Sequence, residues 1–90
     1  MSFKRWLRDH LEESNFTRVE LAREAGFSIQ ALARWERGIH CPRGIHIKEI
    51  CWVLFLSEVD RKDKELWAAQ SKKVDNEYKR ACALVAKEQQ

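Results

Sequence analysis

Apolar and polar positions along this 90-residue chain recur with the period of a helix, not of a strand. Phe3, Trp6, Leu7, His10 and Leu11 fall at i, i+3, i+4 spacing, which predicts an amphipathic helix over about residues 2–13, ending near Ser14-Asn15. Thr17-Arg18-Val19-Glu20 reads as a capping box: the threonine hydroxyl takes the amide of Glu20, and Glu20 reaches back. A second helix then runs over residues 18–25, with Val19, Leu21, Ala22 and Ala25 available for packing. Gly26 stands where a left-handed C-cap is wanted. Phe27 follows, then Ser28 as the next N-cap. The third helix spans 29–37 and is stopped by Gly38, with Leu32 and Trp35 inward. After the loop Ile39-His40-Cys41-Pro42, a fourth helix begins near Arg43 or Gly44 and runs to about Leu56. Its run Ile50–Leu56 is apolar nearly all round, so more than one neighbour covers it. A strand is the alternative, but nothing nearby supplies a strand partner. Ser57 or Asp60 caps a last helix, about 61–87, with a sparse apolar stripe of Leu66/Trp67, Val74, Tyr78, Ala81/Cys82 and Val85.

Composition agrees with an all-α fold. Three Gly and one Pro are too few for the tight turns of a β-rich chain. The length allows one hydrophobic core. The chain divides into a four-helix unit, 1–57, and a C-terminal helical segment, 58–90. The longest apolar run is far short of the ~20 residues of a membrane span, and no basic-then-apolar leader opens the chain. Cys41, Cys51 and Cys82 are odd in number and lack a CxxC spacing, so they read as reduced thiols of a cytoplasmic protein. A net charge of +3, from 17 Lys+Arg against 14 Asp+Glu, permits nucleic-acid binding without demanding it. Any affinity for DNA must come from where the charges are placed.

Two short helices joined by a Gly-containing turn, the second better suited to base contact than the first, form a helix-turn-helix. The block from Thr17 to Ser28, then Leu32, Trp35-Glu36-Arg37-Gly38 and Pro42, closely resembles the lambdoid phage repressor and Cro family of regulators. The resemblance covers about residues 3–56. It implies a four-helix lambda-repressor-like core, to which this chain adds a long C-terminal amphipathic helix. It places base-reading positions on Ser28, Ile29, Gln30 and Arg34. Gln30 suits adenine N6/N7, Arg34 suits guanine O6/N7, and Ile29 suits a thymine methyl. Thr17 and Arg18 open the second helix, where the family holds phosphate. Arg37 and Arg43 flank the loop that in the family lies along the DNA backbone. The partner implied is double-stranded DNA, bound by a homodimer on an inverted repeat, with no membrane.

Three positions depart from the family pattern. Leu11 stands where the family often has an Arg paired to the Glu of Trp-Glu-Arg-Gly, so Glu36 needs another partner, His10 or Arg8, or stays at the surface. Phe55 replaces the usual Gly after the fourth helix, which suggests a longer helix. The charged C-terminal helix replaces a short one. Trp52 and Phe55, off the Ile47/Ile50/Leu54 stripe, are expected to meet the C-terminal helix in cis or a second subunit, and with Trp67, Val74 and Tyr78 they make up the expected dimer or partner interface.

Other chemistries fit less well. His40, Cys41, His46 and Cys51 lack the spacing of a zinc site, so no metal and no cofactor is expected. A Cys–His nucleophile needs a deep pocket that a small groove-docking helical core does not provide, so no enzyme is expected. The sequence therefore predicts a DNA-binding transcriptional regulator, most simply a repressor, of the kind found in bacteria, phages or plasmids. The alternative is a helix-turn-helix interaction module, an antitoxin or antirepressor, gripping a protein partner through the C-terminal helix.

Overall fold

Local capping sets every helix start up to residue 29. In the computed structural model, which describes residues 1–89, Ser2 caps α1 (Phe3–Glu13), Thr17 caps α2 (Arg18–Ala25) and Ser28 caps α3 (Ile29–Arg37). The Thr17–Glu20 box is complete in both directions, at 3.0 and 3.1 Å. Those bonds hold the exposed Glu20 carboxyl below its ordinary range, the Thr17 backbone amide contributing most. Gly26 and Gly38 take φ of +81° and +75°, the left-handed conformation that lets the chain leave α2 and α3 abruptly.

α4 (Gly44–Phe55) stops at Phe55 and does not run on. α5 (Lys64–Glu88) starts later than the sequence suggests. Neither Ser57 nor Asp60 caps it. The Ser57 hydroxyl donates back to the Val53 carbonyl at 2.6 Å, and Asp60 accepts from the Lys62 amide at 2.9 Å. Asp63 is left to cap, accepting from Leu66 at 3.1 Å. At 25 residues and ~1.5 Å rise per residue, α5 spans nearly the whole 40 Å length of the molecule.

The main helix contacts close into a ring: α1 on α3, α3 on α2, α2 on α4, α4 on α5 and α5 on α1. One core fills it. Trp6, Phe3, Leu7, Leu21, Leu32, Ile47, Ile50, Cys51 and Val53 are all but inaccessible. Val74, Ala81 and Val85 bring α5 into the same core. α5 is therefore joined to the rest by packing. Val19, expected to pack, is 56% exposed instead, because Leu21, Ala22 and Ala25 fill the inward face of α2.

A buried carboxylate also fastens α5 to α1. Glu77 accepts from Trp6 Nε1 at 2.8 Å and lies 3.2 Å from His10 Nε2, while Arg80 reaches its other oxygen at 3.3 Å. At the end of α5, Glu88 accepts from the first amide of α1, on Phe3, at 2.7 Å. His10 is thus held by α5 and is not the partner of Glu36.

Candidate nucleic-acid interface

α3 buries Leu32 and Trp35 and turns the opposite face outward. Trp35 is wedged edge-on against Phe27, with ring centres 4.8 Å apart, and lies 5.6 Å from the ring of His46. That anchoring leaves Ser28, Ile29, Gln30 and Arg34 together on the exposed face of α3. Ile29 is 41% exposed on that face.

Two of the sequence-derived positions are already partly engaged. Ser28 Oγ accepts from the Ala31 amide at 3.1 Å, so the side chain keeps an O–H to donate outward. Thr17 is in the same position: its amide and oxygen serve the capping box, and the O–H remains. The Ile29 and Gln30 amides at the start of α3 donate to nothing among the described residues. These amides and the helix dipole favour negative charge there.

Glu36, nearly buried, finds its partner in Arg18. Nε of Arg18 donates to both carboxylate oxygens, at 2.9 and 2.8 Å. Leu11, standing where an Arg was expected, is a core residue with 7% exposure. The cation that balances Glu36 has moved from α1 to the first residue of α2. Arg18 remains largely exposed, and its terminal nitrogens are outside this pair. Arg34, Arg37 and Arg43 are exposed and pair with no carboxylate among the described residues. Arg43 sits at the N-cap of α4 with no side-chain cap bond.

A surface cleft of about 630 Å³ runs along α3, lined by Arg18, Ile29, Ala33, Glu36 and Arg37 and, from α1, by Lys4 and Arg8. The last two lie outside the helix-turn-helix motif, and the motif alone gives no reason to single them out. Their one signal in the sequence is i, i+4 spacing beside the buried face of α1.

The residues expected at a subunit interface are not brought together. Val74 is 4% exposed and belongs to the monomer core, so its assignment to an interface is corrected: burial in cis leaves it nothing to offer a second chain. Phe55 packs edge-on to His10 at 5.2 Å and under Lys73 at 4.8 Å. Trp67 is covered by Arg61 at 5.5 Å. Tyr78 lies 5.4 Å from Lys48, and its hydroxyl comes close to Gly44. Only Trp52, 40% exposed, stands clear.

The three thiols are free. Burial pushes Cys51 up to about 12, well away from reactivity. Among the described residues no three His, Cys, Asp or Glu side chains are placed to share a metal. Among the described residues no helix is long and apolar enough to cross a membrane.

A model of the helix-turn-helix family matches residues 7–60, well over half the chain. The chain belongs to that family, in the form typified by lambda repressor and Cro, whose members are DNA-binding regulators. No curated protein and no solved structure matches it.

Proposed function

We propose that this protein is a sequence-specific transcriptional repressor that binds an inverted repeat as a homodimer and occludes a promoter in the cytoplasm. In this reading α3 enters the major groove. Ser28, Ile29, Gln30 and Arg34 meet base edges, with Gln30 toward adenine and Arg34 toward guanine. Thr17, Arg18, Arg37 and Arg43 hold phosphates on either side, fixing register without reading sequence.

One observation carries the reading. A helix whose inward residues are locked in the core presents an adaptable polar face, Gln30 and Arg34 included, beside Arg37 and Arg43, cations that no carboxylate among the described residues neutralises. The dimer follows from the geometry of half-sites, which demands two reading heads about 34 Å apart. Trp52 on α4 is the apolar side chain that supports a subunit contact. The rival picture, α5 gripping a protein partner, loses much of its motivation because Val74, Ala81 and Val85 of the α5 stripe are used in the chain's own core, leaving Leu66 exposed.

The test is selection of sites from a random duplex library, followed by titration of the selected duplex under light scattering. A palindromic site bound by two chains supports the reading. A stoichiometric protein partner co-purifying with a chain that binds no duplex overturns it.

A further inference from the structure

We propose that α1 is a second backbone-binding surface: Lys4 and Arg8 hold DNA phosphates alongside those held by the helix-turn-helix. The proposal rests on the DNA-binding reading and extends its footprint to a helix outside the motif.

Lys4 and Arg8 lie one turn apart on α1, so their side chains emerge from the same face. Both are exposed. Neither has a carboxylate within ion-pair distance among the described residues, whereas their neighbour Arg5 is already turned toward Asp9 at 3.8 Å. The two unpaired cations open into the same cleft as Arg18, Ile29 and Arg37. Those three are positions proposed above to face the duplex, so the α1 strip is continuous with the α3 face.

The charge distribution agrees. The cleft gathers four cationic side chains and one carboxylate, Glu36, which Arg18 already holds. That excess equals the formal charge of the entire chain, +3. On their other side Lys4 and Arg8 border Asp9 and Glu12, so the cationic side of the pair is the one that faces α3, the charge expected of a phosphate-binding surface.

Lys4 is positioned by α3. A Cβ at Gly38 would lie 3.1 Å from Cδ of Lys4, so the absence of a side chain there lets the lysine stem cross the end of α3. Cε and Nζ lie 3.9 Å from the same position, so the whole end of the side chain rests over the last turn of α3. Gly38 therefore serves twice, as a left-handed cap and as the passage for Lys4.

The occupant is the phosphate backbone of duplex DNA, not a free anion. The experiment is titration of an end-labelled, mixed-sequence duplex over a series of potassium chloride concentrations, read by fluorescence anisotropy. It compares the wild type, Lys4→Ala, Arg8→Ala, the double variant and Arg34→Ala. Each lost phosphate contact lowers the slope of log K against log[salt] by about 0.9. The double variant should lose about 1.8 of slope, and each single variant about half of that, with circular dichroism unchanged. Sites selected by the double variant should match those of the wild type. Inorganic phosphate added at the same ionic strength should not compete. A double variant with the wild-type slope, beside an Arg34→Ala protein that loses base choice, overturns the α1 proposal and leaves the DNA reading standing. Competition by inorganic phosphate also overturns it, in favour of a small-anion site. A wild type that binds no duplex overturns both. Both side chains are exposed, and a fold defect in one single variant leaves the other to decide.

Discussion

Nε of Arg18 donates to both oxygens of Glu36, tying the first residue of α2 to the last turn of α3. The bond settles two problems at once. It links the two helices of the motif, and it neutralises a carboxylate that lines the cleft beside α3. Arg18→Ala should lower stability by about 1–3 kcal/mol, more than a surface pair would, because it leaves the nearly buried Glu36 carboxylate without its partner. Its effect on DNA should be larger than that of Arg37→Ala, because it removes a cation and also unmasks Glu36. Adding Glu36→Gln to Arg18→Ala should recover part of the lost affinity. A double-mutant cycle by duplex titration measures this coupling. Additive losses would mean that the pair does not shape the DNA surface.

Trp35 anchors α3 from below. It is 7% exposed and packed against Phe27 and His46. Trp35→Ala should cost roughly 3–5 kcal/mol, comparable to the whole stability of a small domain. DNA binding would then vanish through unfolding, with the loss visible in thermal melting. A variant that melts like the wild type would contradict the inward placement.

Glu77 is the polar fastening between α5 and α1. Glu77→Leu should strand the Trp6 indole N–H, an unsatisfied buried donor costing about 1–3 kcal/mol. Denaturant melting should show the loss, and Trp6→Phe in the same background should relieve part of it. Truncation after Ser57 should likewise unfold the chain and not merely separate subunits, because Val74, Ala81 and Val85 leave the core with α5. A truncated chain that melts cooperatively at the wild-type temperature would contradict this.

The Cys51 thiol is buried in α4 and pushed up to about 12, chiefly by burial. The folded state therefore holds the thiol proton more tightly than the unfolded chain, whose Cys titrates near ~8.5. Stability from this group is present below that pH and falls as pH rises toward the folded value. At neutral pH the thiolate is scarce, so Cys51 should resist a disulfide reagent until denaturant is added. Mass spectrometry of the native labelled protein checks this. Rapid labelling of Cys51 would place it at the surface.

Most of the fold is legible locally. Ser28 and the Thr17–Glu20 box mark helix starts with side chains that bond within three residues, and Gly26 and Gly38 mark helix ends with a left-handed backbone, so these signals survive without tertiary knowledge. The start of α5 is not legible, because Ser57, Asp60 and Asp63 are all competent caps. Only the path of the chain decides which oxygen is free. Glu36 and Glu77 are opaque for another reason. Their partners, Arg18 and Trp6, lie 18 and 71 residues away, and no periodicity reports such a pairing. The outward face of α3 is readable once Leu32 and Trp35 are placed inward. The contribution of α1 to that face is not, since Lys4 and Arg8 look like any solvated pair until the cleft beside Arg37 is seen.

The most direct measurement is base preference at α3. Sites selected from a random duplex library should be compared for the wild type and Arg34→Ala. The variant should lose about 1–3 kcal/mol on the selected site and relax its choice at one base pair in each half-site, most simply a guanine. Its salt slope should stay close to that of the wild type, because a base contact releases few counterions. A variant that selects the same sequence with the same affinity would show that α3 does not read the major groove.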